Sequence, residues 1–94
     1  MDDKQDIMAI ISLLAGAAQS GATGVLAQAA LNLTKATEVK QRAEQLADDD
    51  DRKVRAEQLF QTTRDLFLEL ANDKSAIEEG KKDILATNAT PYQP

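Results

Sequence analysis

The chain contains no cysteine, no histidine and no tryptophan. Without the first two there is no disulfide framework, thiolate nucleophile, Cys/His zinc site or imidazole base, so Ser-His-Asp and Cys-His mechanisms are excluded. The serines (Ser12, Ser20 and Ser75) have no activating base in view. The expectation is a non-enzymatic protein with no catalytic residue, no cofactor and no metal site. Aromatic residues are scarce as well: Phe60, Phe67 and Tyr92 are all there are. Much of the remaining apolar content is alanine, and at 94 residues a helical core built that way is thin. Association with another chain, first of all a second copy, is therefore expected to contribute to stability.

A basic excess is missing too. The net charge is −5, and Lys35, Lys40, Arg42, Arg52, Lys53 and Arg55 lie among comparable acids. No basic face forms, which argues against nucleic acid as a partner. The first residues carry Asp2, Asp3 and Asp6 where a secretory signal would carry basic residues. The reading is of a chain not exported by that route, located in the cytoplasm or within a virion or similar assembly.

What is present is helical periodicity. Between Arg52 and Asn72, residues Ala56, Leu59, Phe60, Thr63, Leu66, Phe67 and Leu70 recur at steps of three and four, forming one stripe on a helix. Both phenylalanines sit on it, and each ring contributes roughly 1.5–3 kcal/mol when buried. This stripe is taken as the centre of the core. Leu66 is read as a core position, and Val54 and Leu68, about 140–180° away, as a second, solvent-facing line.

Upstream, Asp3 is placed to cap a first helix over about 4–18, with Asp6 reinforcing its positive end. Ile7, Ile10, Ile11 and Leu14 lead its apolar face, suited to packing inside the chain or to a partner's groove or lipid. A turn follows near Gln19–Gly24, with Ser20 or Thr23 available to cap the next helix. The alternative is one uncharged stretch, Ile7 through Leu33, long enough to cross a bilayer. From Val25 a long helix runs to about Ala47, with Asn32 on the side of its apolar face. A buried amide there would fix register or oligomeric state, but an exposed position is the favoured reading. A single helix from Val25 to Asn72 is the other way to draw this region.

Asp48–Asp51 is punctuation. Four carboxylates oppose the dipole at a helix C-terminus and favour it at the next N-terminus. They lack the glycine and distal glutamate of a calcium loop. Ser75-Ala-Ile-Glu78 reads as a capping box that starts a last helix over about 76–86. The end, 87–94, holds both prolines and is expected to be an irregular tail, docked by Tyr92.

The fold class is thus all-α: one domain over 1–94, an antiparallel hairpin of about 24–47 and 51–72 with shorter flanking helices, as a small bundle or coiled-coil-like unit. At 1.5 Å per residue the two rods are about 36 and about 32 Å long, a matched pair. The function expected is protein–protein interaction as a self-assembling structural subunit. A virion or phage assembly is one setting in which short, cysteine-free, alanine-rich helical chains occur. The interaction residues are Ile7, Ile10, Ile11, Leu14, Val54 and Leu68, and the partner is a second copy. Alternatives are membrane insertion through 7–33 and a soluble acidic adaptor or inhibitor.

Overall fold

A computed structural model describes residues 3–94, with side chains from Asp6 onward. Four helices follow one another: α1 (Asp3–Gln19), α2 (Val25–Ala43), α3 (Asp51–Leu70) and α4 (Lys74–Thr87). The all-α class and the bundle packing of adjacent helices are as the periodicity predicts. The Asp3 cap, and the acidic flank it forms with Asp2, lie outside the residues whose side chains are described.

α1 ends because Gly21 takes φ of +106°, a left-handed conformation that glycine adopts without strain. The Ala22 amide donates to the Ala17 carbonyl and the Gly21 amide to that of Ala18, closing a Schellman motif. The expected turn at Gln19–Gly24 therefore exists and divides the uncharged stretch Ile7–Leu33 into two helices. Among the described residues, no helix is long and apolar enough to cross a membrane. α4 stops by the same device: Asn88 has φ of +52°, and the Ala89 amide bonds to the Ile84 carbonyl.

The caps differ from expectation. Neither Ser20 nor Thr23 caps α2, whose N-cap is Gly24 without a side-chain bond of its own. Carboxylates from α4 do the work instead: the Gly24 amide donates to Asp83 Oδ2 (3.0 Å) and the Val25 amide to Glu79 Oε1 (2.9 Å). These are orphan donors of a helix start, satisfied from across the fold. α4 itself is capped by Asp73, which accepts from the Ser75 and Ala76 amides, so the helix begins before the predicted Ser75 box.

The hairpin is real, with a shorter first arm than the predicted 24–47. α2 stops at Ala43, and the two arms are separated by 44–50, which also rules out one continuous helix. Asp50 supplies the reason the chain restarts where it does. Its Oδ1 accepts from the Arg52 amide at 2.9 Å, and the Arg52 guanidinium closes on both carboxylate oxygens at 3.1 and 2.9 Å. Those hydrogen bonds hold the Asp50 carboxyl at about 2, well below the usual range. Lys53 reaches back to Asp48 (2.7 Å) and to the Leu46 carbonyl (3.4 Å), fastening the turn to the new helix.

The hub of the fold is α2, not α3. α1, α3 and α4 all pack on α2, and α4 also packs on α1. The core is Leu14, Ala15, Ala17 and Ala18 of α1, Leu26, Ala27, Ala29, Ala30 and Leu33 of α2, Ala22, Phe67 and Ala76. On α3 only Ala56 and Phe67 are buried. Alanine explains the reversal. Ala29, Ala36 and Ala43, seven residues apart and all buried, form one line on α2. Ala56, Thr63 and Leu70 form the matching line on α3. Small side chains along such a seam let the backbones come close, so larger residues beside it end at its rim. At Gly80 a Cβ would sit 3.0 Å from a Leu14 methyl and 3.3 Å from one of Leu26, which marks how closely α4 crosses α1 and α2.

The tail is irregular, as expected, and docked. Tyr92 donates its amide to the Ser12 carbonyl (3.0 Å) and lies within reach of the Ser12 hydroxyl (3.2 Å). Gln19 and Gln93 bond reciprocally, side-chain amide to backbone, at 2.7 and 3.1 Å. The tail crosses α1 at Gly16, where a Cβ would collide with the Thr90 carbonyl.

Candidate protein-interaction surface

A thin core leaves large apolar side chains over. Ile7, Met8, Ile10, Val25, Val39, Val54, Leu59, Leu66, Leu68 and Leu85 are all substantially exposed. Most of them fall into three groups. The first is the N-terminal half of α1. Ile7 and Ile10, expected as interaction residues, are exposed there beside Met8, Ile11 is half-buried against the core, and Leu14 is 2% exposed. Leu14 is thus a core residue of the chain itself, turned toward Gly80 and Leu26 rather than toward a partner.

The second group is the outer line of α3, where Val54 and Leu68 are exposed. The contrast expected between a buried Leu66 and a wet Leu68 is absent: they are 47% and 44% exposed. Leu59 is exposed as well, so the stripe read as the centre of the core is half rim. The cause is the packing of α3 against α2 on one side only.

The third group was not foreseen as a surface. Val25, Asn32 and Val39 lie seven residues apart on α2 and are exposed; Leu59 and Leu66, also seven apart, are exposed on α3. At about 100° per residue, Val25, Asn32 and Val39 fall on the flank of α2 turned away from Leu26, Leu33 and Lys40. Lys40 fixes the geometry of the other flank: its ammonium lies 4.5 Å from the centre of the Phe60 ring and 3.8 Å from Glu57. Phe60 and Glu57 therefore mark one margin of the hairpin, and Leu59 and Leu66 point to the opposite margin, beside Val39 and Asn32. Pairing Lys40 with Glu57 and Phe60 also sets the level of the two helices. Val39 stands beside Leu59, and Asn32 beside Leu66.

Asn32 is exposed at the middle of this strip, the reading the sequence favours over a buried amide. The signal in the sequence is a second seven-residue series, Val25–Asn32–Val39, next to the Ala29–Ala36–Ala43 series. Read together, they describe a helix with two seams, of which the chain fills one.

One shallow cleft of about 440 Å³ lies on α4 beside Lys74, Ser75, Glu78, Glu79 and Lys82, and another of about 290 Å³ lies at the hairpin tip, lined by Lys40, Glu44, Asp48, Lys53, Val54, Glu57 and Gln58. Lys53 there is already paired with Asp48, and Lys40 with Glu57. Among the described residues, no group of three or more His, Cys, Asp or Glu side chains is arranged to hold a metal ion. The aspartate run serves as turn and cap, with Asp48 engaged by Lys53 and Asp50 by Arg52. No protein-family model matches the chain, and no curated protein or solved structure matches it either.

Proposed function

We propose that the chain is a non-enzymatic structural subunit that works by protein–protein contact and associates with copies of itself. The setting is the cytoplasm or a larger assembly such as a virion. The observation that carries this reading is the half-used state of α3, which packs mainly on α2 while Leu59, Leu66, Leu68 and Val54 remain exposed. Isolated exposed apolar residues are ordinary on a soluble surface. An apolar strip shared by two helices at seven-residue spacing is the pattern by which helices meet other helices.

A concentration series in analytical ultracentrifugation tests the proposal. The monomer mass is 10.2 kDa. The expected result is a multiple of that mass, falling toward the monomer on dilution. A mass of one chain across the micromolar to millimolar range would end this reading. The exposed Ile7, Met8 and Ile10 on α1 favour a second reading, contact with lipid or with a different protein's groove. Co-flotation of the chain with vesicles is the outcome that would favour lipid.

A further inference from the structure

The geometry points to a specific interface: the open margin of the α2–α3 hairpin pairs face to face with the same margin of a second copy, about a two-fold axis passing beside Asn32 and Leu66. This rests on the self-association reading and adds the surface, the symmetry and the register to it.

The stripe on α2 is symmetric about its own centre. Val25 and Val39 flank Asn32 at equal distances of seven residues. A two-fold axis through Asn32, perpendicular to the helix, therefore lays Val25 of one copy on Val39 of the other and brings the two Asn32 amides together. Isologous contact of this kind is what closed dimers use. An asparagine in an apolar helical seam satisfies its amide best against another asparagine at the same level, and in doing so fixes the register. A dissimilar partner has no reason to present an amide at that height; a second copy always does.

The same operation is consistent on α3. Leu66, at the level of Asn32, meets Leu66 of the second copy, and Leu59, seven residues away, falls just past Leu70, the last residue of the second copy's α3. The cations that border the strip, Lys35 and Arg42, lie on the same half of α2 beyond Asn32, so the antiparallel arrangement keeps them away from their own counterparts. The size is adequate. α3 has 20 residues and runs about 30 Å, and two helices side by side are about 20 Å wide, giving a face of about 600 Å² on each copy. A standard stable interface uses roughly 800 Å² per partner, and about 1,000 Å² in total is the lower bound for a specific one. The paired hairpins form a four-helix bundle in which α3 gains the cover that its own chain does not provide.

The chain's lack of cysteine makes the test clean. Asn32→Cys, Leu66→Cys, Val54→Cys and Leu68→Cys variants are each equilibrated in a glutathione redox buffer at dilute concentration. Helicity is checked by circular dichroism, mass is read by ultracentrifugation, and cross-linking is read on a non-reducing gel. A disulfide requires Cα atoms about 4.4–6.8 Å apart, which only residues near the axis provide. The expected result is near-complete disulfide dimer for Asn32→Cys or Leu66→Cys and at least a tenfold smaller fraction for Val54→Cys and Leu68→Cys. Cross-linking at Val54 or Leu68 in preference to Asn32 and Leu66, with the mass still a multiple of one chain, overturns this face and leaves self-association standing. Equal cross-linking at all four sites also overturns it. A wild-type mass of one chain removes both this interface and the reading beneath it.

Discussion

Phe67→Ala is expected to be the most damaging single truncation in the chain, lowering stability by about 3–5 kcal/mol. Phe67 is 4% exposed, and it joins α3 to the alanine- and leucine-lined core of α1 and α2. Most of the buried residues in that core are alanines, which have little side chain to move into the space. A domain of this length has roughly 5–14 kcal/mol in total, at about 0.05–0.15 kcal/mol per residue. The thermal midpoint should fall by about 12–40 °C, at about 4–8 °C per kcal/mol for a chain of this size. Phe60→Ala is the control. That ring is half-buried beneath Lys40, so its removal should cost clearly less. Equal losses from the two variants in a urea titration would show that Phe67 is not the residue through which α3 is anchored.

The second large effect is expected at Gly16. In an isolated helix, replacing an interior glycine with alanine stabilises by about 1 kcal/mol. Here the added methyl would occupy the place of the Thr90 carbonyl, so the tail has to leave α1. With it go the Tyr92–Ser12 bonds and the reciprocal Gln19–Gln93 pair, each worth about 0.5–1.5 kcal/mol net. The loss outweighs the gain in helix propensity.

Tyr92, the one tyrosine, reports the event directly. Its pKa is raised in the folded chain, first by the neighbouring Glu38 carboxylate and then by desolvation. A raised pKa favours the neutral phenol. The docked tail thus contributes its full stability below the ordinary tyrosine value of about 10, and loses that contribution as the pH rises through the higher folded value. Absorbance titration of Gly16→Ala should return the Tyr92 transition to the ordinary range. A transition that stays raised, with the tail still protected from carboxypeptidase, would contradict the docking described at Gly16.

Part of this fold was legible from local rules. The aspartate run marks a turn, the glycine-punctuated stretch ends α1, and the tail starts one residue later than predicted, after Thr87. These are near-neighbour effects, settled within one or two turns of chain. The hub was not legible in the same way. A stripe of leucine and phenylalanine on α3 outweighs a stripe of alanine on α2 when apolar residues are counted by size. Packing reverses the order, because alanine is what allows three helices to reach α2. Leu59 and Leu66 were misplaced for that reason, and Leu14 went the other way, from expected contact surface to core. The caps of α2 lie 54 and 59 residues away in Glu79 and Asp83, and no local pattern announces them. The exposed strip was visible only as a second seven-residue series, which a single apolar count merges with the first.

Leu66→Asp separates the possible roles of α3 more sharply than any other substitution. At a core position a lone carboxylate costs several kcal/mol and unfolds the chain. At a simply wet position it changes neither fold nor mass. At an interface between copies it leaves the fold intact and splits the assembly. Leu66 is 47% exposed beside Asn32, on the margin that the chain leaves open. The measurement is helicity by circular dichroism together with mass by ultracentrifugation on the same sample. The predicted result is wild-type helicity with a mass of 10.2 kDa at concentrations where the wild type is a multiple of it. Loss of helicity, or wild-type helicity with an undiminished assembly, would contradict the account.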